Sequence, residues 1–138
     1  MTDFVDVKTS EMTGAALDWA VAQAEKVDGL VIHKGRPAFE RDFDPDCWAD
    51  ETDLEAFKCW QLYTPSTDWG RGGPLIESEE LTVEPSAWDW KGACVLWRAQ
   101  QEGESVYFEH ANLLVAAMRA IAHAKLGDTV SVPKELLS

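Results

Sequence analysis

Residues 63–77 read Tyr-Thr-Pro-Ser-Thr-Asp-Trp-Gly-Arg-Gly-Gly-Pro-Leu-Ile-Glu, and this stretch holds the side chains best suited to chemistry. Glycines let a backbone approach a ligand closely and turn several N–H groups toward one anion. Gly72 and Gly73 would supply that approach, Arg71 a planar two-pronged donor, and Ser66 and Thr67 hydroxyls. Asp68 could accept from a ribose hydroxyl or a base amine, while Tyr63 or Trp69 stacks on a ring. The set describes a site for a nucleotide-like ligand. It is not a P-loop, because G-x-x-x-x-G-K-[ST] is absent. The competing reading is a well-ordered turn in which Thr67 and Asp68 satisfy local backbone groups. The same glycines and prolines argue against a regular helix or strand there.

Other reactive residues are scattered. Asp42, Asp44 and Asp46 resemble the start of a calcium loop, but the sixth position is Cys47 where the turn needs glycine. The twelfth is Asp53 where a bidentate Glu is expected, so an exposed acidic loop is the favoured reading and no metal is predicted. Cys47, Cys59 and Cys94 are odd in number and show no C-x-x-C spacing, which argues against disulfides and structural zinc and for a reducing cytosol. His33, His110 and His123 do not share the i, i+4 spacing of a helical metal site. No catalytic set and no cofactor follow. Trp88 and Trp90 would share a face if extended, filling space between helix and sheet or forming a sticky patch; packing is favoured. Arg119 is expected to pair with an acid, or to become a second anion-binding residue if it faces the Gly-rich loop.

The elements that must position these residues can be read from periodicity. Residues 10–28 predict a helix capped by Thr9 or Ser10, with Leu17, Ala20, Val21 and Ala24 as its buried stripe and Gly29 after its end. Residues 30–39 predict a hairpin turning at Lys34-Gly35. Pro37, lacking an amide proton, assigns its return strand to an edge. Residues 40–56 carry eight acids against one Arg and read as an exposed loop, with a short helix near residues 50–60. An extended piece at 81–84 interrupts an irregular stretch, and residues 93–99 and 106–110 form a second hairpin. Asn112 caps a last helix ending near Leu126 with Gly127 as its stop, and 129–133 is an extended tail. The sum is a single α+β domain over 1–138, an antiparallel sheet of about four strands packed with two main helices.

Composition narrows the partners. Lys plus Arg number 12 and Asp plus Glu 25, a formal net charge of −13. Such a chain repels phosphate backbones and anionic lipid, which argues against general nucleic-acid binding and membrane association; it would suit a basic partner surface, although simple solubility is the favoured reading of the charge. Hydrophobic residues at 46% suffice for a core. The first twelve residues contain acids and no apolar run, so no signal peptide is predicted, and no stretch approaches a membrane span.

Three segments carry a family resemblance: residues 8–22 (Lys-Thr-Ser-Glu-Met-Thr-Gly-Ala-Ala-Leu-Asp-Trp-Ala-Val-Ala), the Gly-rich stretch 63–77, and 114–119 through 125–128. In this order they resemble the NinX-like family of small temperate-phage proteins, over about half of the chain. Residues 40–56 and the second hairpin have no placed counterpart. The resemblance implies a phage or prophage accessory protein in the cytosol of a bacterial host, with a helix–sheet–helix sandwich similar to related phage domains, and it carries over no catalytic residue. Three functions are then expected in competition. The first is a non-catalytic binding protein acting on the host or its defences, in its sharper form sequestering a nucleotide-type signal at the Gly-rich loop. The second is an acidic, DNA-mimic-like inhibitor of a host or defence protein. The third is a small hydrolase or transferase using Asp68 with His33 or His110. A second copy of the chain is a further candidate partner.

Overall fold

Nine consecutive residues of the last helix, from Leu114 to Ala122, are buried, so this helix cannot lie on a surface with one face wet. The rest of the chain surrounds it. The computed structural model describes residues 3–41 and 59–137. In chain order they form β1 (Phe4–Lys8), a 3₁₀ turn (Thr9–Glu11), α1 (Gly14–Ala24), β2 (Leu30–His33), β3 (Arg36–Arg41) and β4 (Cys59–Leu62). Then come α2 (Trp69–Ser78), β5 (Thr82–Trp88), β6 (Cys94–Gln100), β7 (Tyr107–His110), α3 (Leu113–Leu126), β8 (Thr129–Pro133) and a closing 3₁₀ turn (Lys134–Leu137). The acidic segment, its calcium-like start, Cys47, Asp53 and the short helix expected near 50–60 lie almost wholly outside the described residues.

The chain is mixed α+β, but the strands do not form one sheet of about four. Among the described residues they form three small antiparallel sheets, β1-β8, β2-β3-β4 and β5-β6-β7, and the main helices are three rather than two. The β1-β8 ribbon escapes a period-2 reading because β1 is mostly exposed and finds its partner only at the far end of the chain, Phe4 opposite Pro133 and Lys8 opposite Thr129. Inside the ribbon, Val130 and Val132 are buried against α1 and α3.

Several local signals act as expected. Leu17, Ala20, Val21 and Ala24 are all buried on α1. That helix is shorter than residues 10–28, because Gly14 at φ +60 separates the 3₁₀ turn from it and Lys26 at φ +56 ends it. Lys34 and Gly35, both at positive φ, make the two-residue hairpin turn. Asn112 Oδ1 accepts from Leu114 N–H at 2.9 Å and Gly127 stops α3 at φ +92. The second hairpin pairs β6 with β7, and β5 adds on the other side over a longer span than 81–84.

Three expectations are overturned. Pro37 is not on an edge: β3 is the central strand of its sheet. Alternation from the turn makes Ile32 opposite Pro37 a non-hydrogen-bonded pair, so β2 asks nothing of the missing amide. On the β4 side the Pro37 carbonyl accepts from Tyr63 N–H at 2.9 Å, just beyond the end of the ladder. Trp88 and Trp90 do not fill the core; they stand 57% and 90% exposed. The Gly-rich segment, finally, is a helix over Trp69–Ser78 with Pro74 in its second turn.

Close packing explains that helix. Asp68 caps it, accepting from Gly70 N–H at 2.9 Å. A Cβ at Gly72 would lie 2.4 Å from the Pro65 carbonyl oxygen and 2.8 Å from Leu114 Cδ2. Glycine is there because α2 presses on the preceding turn and on α3, and Leu75 and Ile76 supply the apolar contact. Gly72→Ala should therefore cost about 1–3 kcal/mol in equilibrium denaturation. Gly73→Ala, whose new methyl meets only Trp69 at 3.7 Å, should be neutral or gain up to about 1 kcal/mol. Equal stability of the two variants would refute the close-approach account.

Candidate functional site

The chain leaves β4 at Tyr63 and turns sharply before α2. Thr67 and Asp68 donate their N–H groups to the Thr64 carbonyl, and Arg71 and Gly72 donate theirs to the Asp68 carbonyl. Ser66 N–H goes to Asp18 Oδ1 at 2.8 Å and Gly70 N–H to the Asp68 side chain. The amides expected to face a guest are thus already engaged within the protein, as a capped turn leading into a helix. This corrects the picture of an open amide cradle.

The side chains of that segment divide. Tyr63 is buried, edge-on to Phe39 at 6.0 Å, and burial together with the negative charge of Glu25 pushes its hydroxyl up to about 12. The Arg71 guanidinium lies over both rings, 5.7 Å from the centre of Phe39 and 5.8 Å from that of Tyr63. Thr67, Asp68 and Trp69 are exposed, Gly73 is half-buried and Gly72 buried. Arg119 does not join them. It sits about 140° around α3 from Leu114, the residue that meets Gly72, and its Nε donates to the Met12 carbonyl at 2.8 Å. Burial lowers its pKa, and its charge adds to burial in lowering that of His110.

The histidines stay apart. His33 stacks on Trp60 with ring centres 4.0 Å apart, His110 Nδ1 accepts from Asn112 N–H, and His123 pairs with Asp128. Among the described residues no group of His, Cys, Asp and Glu could hold a metal.

What the chain does bring together is a groove that sequence reasoning passed over. Asp18 is nine-tenths buried on α1, yet it lines a cleft of about 200 Å³ with Gly14, Ala15, Arg36, Thr64 and Thr67. Gly14, Ala15 and Arg36 also line a wider groove of about 590 Å³, which Lys34, Leu136 and Leu137 border together with one carboxylate, Glu11. The cleft and the groove therefore adjoin. Thr13 makes no side-chain cap to α1, so the orphan first-turn amides border this space and give it partial positive charge. The signal for it was present: Asp18 is the one acid in the apolar run from Ala15 to Ala22, and a lone acid on a buried face must be satisfied by something.

Burial raises Asp18 from its ordinary 3.8 to about 6, against the opposing pull of the Ser66 hydroxyl and amide. The Ser66 hydroxyl, itself buried, closes no hydrogen bond of full geometry. A carboxyl poised near 6 can present either a proton or a charge to whatever enters the cleft.

These features define a small mixed α+β protein with a ligand-sized groove, in which no helix of the described residues is long and apolar enough to cross a membrane. Residues 8–125 match the family described as Bacteriophage P22, NinX, and the chain belongs to that family. The matched range runs through the acidic segment and the second hairpin as well as the first two segments that carry the resemblance, and it ends at residue 125, the start of the last stretch of the third. No curated protein matches the chain.

The Asp18 shift has a sign that can be checked. Its folded value lies above its unfolded one, so its contribution to stability is full below about pH 4 and is lost as pH rises through about 6. Asp18→Asn keeps an oxygen for the Ser66 amide and removes the charge. Between pH 4 and 7 the wild type should lose up to about 3 kcal/mol relative to this variant in denaturant titrations. Parallel pH profiles would show that Asp18 ionises as freely in the fold as outside it.

Proposed function

We propose that this protein is a non-catalytic phage accessory binding protein that holds a small nucleotide-type anion in the groove at the start of α1. One observation carries the reading. In a chain of net charge −13, Lys34, Arg36 and the uncapped amides of α1 border the same ligand-sized space. Phosphate oxygens find donors in the Gly14 and Ala15 amides and the Arg36 guanidinium. The narrower cleft takes the polar remainder of the ligand, with Thr64 and Thr67 hydroxyls and the Asp18 carboxyl as its partners.

Of the residues first expected at the site, Thr67 lines the cleft and Ser66 fixes Asp18 beside it. The other seven hold the turn and α2 in place or lie apart from the groove. Trapping rather than turnover is favoured because the groups a reaction would need have structural duties. Asp68 caps α2, His110 receives the Asn112 amide and His123 holds Asp128. The effect on an infected host would come from removing a nucleotide signal from solution.

A thermal-shift series with linear and cyclic nucleotides tests this. At least one should raise Tm, since a ligand at a hundred times its Kd adds about 2.7 kcal/mol to the folded state. Arg36→Ala should abolish the rise while leaving the unliganded Tm close to the wild type. Folded protein that shifts with none of them would overturn the reading.

A further inference from the structure

The tip of the β5–β6 hairpin is built to present an aromatic ring. Asp89 N–H donates to the Ala93 carbonyl at 2.9 Å, and Gly92 N–H to the Asp89 carbonyl at 3.0 Å. The Asp89 carboxylate accepts from Lys91 N–H at 2.8 Å and Ala93 N–H at 3.0 Å. Gly92, at φ +84, lets the chain close. Four hydrogen bonds and a left-handed glycine thus fix a five-residue turn whose one large side chain is Trp90. That indole is 90% exposed, with the Lys91 ammonium 5.0 Å from the centre of its ring. Trp88 and Val95, both exposed, stand at the base of the turn.

A rigid aromatic on a pre-formed loop gives up little conformational entropy when it is buried, and for that reason tryptophan anchors binding surfaces. Among the described residues the indole packs against no core side chain, being 90% exposed. The inner face of this sheet is already committed to α3 through Ala99 and Phe108. The outer face carries a row in which Arg98 stands between Glu84 and Glu109. Between residues 82 and 110 five carboxylates outnumber the two cations Lys91 and Arg98. Anionic lipid is repelled by such a surface, and so is a second copy of this chain.

We infer that the Trp88–Trp90 tip is a docking surface for a protein with a positively charged face and an apolar slot that receives the aromatic ring at position 90, so that a photo-reactive aromatic residue placed there still enters the slot whereas alanine does not. The surface is independent of the groove at α1. A nucleotide can bind or fail to bind there without affecting it.

The test places a photo-reactive amino acid at position 90 of the full chain in infected host cells, and in parallel at position 69, whose tryptophan is also exposed. Cross-linking from position 90 and not from 69 should yield a protein of net positive charge. That protein, purified and titrated calorimetrically, should bind Trp90→Ala roughly tenfold to hundredfold more weakly than the wild type. Its affinity should fall as salt rises. The variant's Tm should match the wild type, because an indole this exposed supports no packing. Identical products from both positions would overturn the inference, as would an acidic partner, salt-independent binding or unchanged affinity in the variant. A cross-link to lipid or to a second copy of the chain would give the tip to another occupant and overturn it equally.

Discussion

The burial of α3 on every side is the constraint from which the other positions follow. Its small residues, Ala116, Ala117, Ala120 and Ala122, let neighbouring elements approach its axis, and α1 answers with Ala16, Ala20 and Ala24. The β5-β6-β7 sheet covers another side through Ala99 and Phe108, and α2 reaches it at Leu114. One charge is enclosed with them. A guanidinium at this depth must find an acceptor, and Arg119 takes the Met12 carbonyl just before α1 begins. The core thereby fixes the backbone at the mouth of the groove. A polar site and a hydrophobic core share that hydrogen bond.

A second set of ties acts where the helices end. Glu25 caps α1, Glu79 caps α2, and Lys125 lies in the last turn of α3. The Lys125 ammonium is 2.6 Å from Glu79 and 3.5 Å from Glu25. Burial and the neighbouring carboxylate raise Glu25, whereas for Glu79 burial is outweighed by Lys125 and the net shift is downward. A lysine near three helix C-termini also meets the negative ends of their dipoles. Opposite it, Asp18 and Ser66 join α1 to the turn before α2. Between these two fastenings α2 has little freedom, which is why a helix with three glycines and a proline survives.

Much of this was legible because local signals suffice where an element answers to itself. The turn at Lys34-Gly35 needs only two residues at positive φ, and Asn112 with Gly127 brackets α3 whatever surrounds it. Apart from the exposed Trp88 and Trp90, the failures involve partners outside the element that was read. Gly72 reads as a breaker until Pro65 and Leu114 are known to occupy the space of its missing Cβ. Pro37 reads as an edge residue until its register shows that the absent amide falls outside both ladders. β1 is too short and too exposed to be assigned alone, and its partner arrives more than a hundred residues later. The candidate site suffered likewise. Glycines that serve packing resembled glycines that serve a ligand, while Asp18 stood unremarked in an apolar run.

The family match adds a last distinction between the two sides of the groove. It spans residues 8–125 and so includes Thr13, Gly14, Ala15, Asp18, Lys34 and Arg36, together with Thr64 and Thr67. Val7, Leu136 and Leu137, which close the opposite side, fall outside it. Every charged or hydroxyl-bearing side chain named at the groove thus comes from the matched part of the chain, and the apolar wall comes from β1 and the closing turn. Polar groups fix which chemistry a pocket accepts, whereas apolar walls fix how much of a ligand it can cover. On that division the polar side chains named at the groove lie in the matched segment, while Val7, Leu136 and Leu137 come from the β1-β8 ribbon and the turn that follows it.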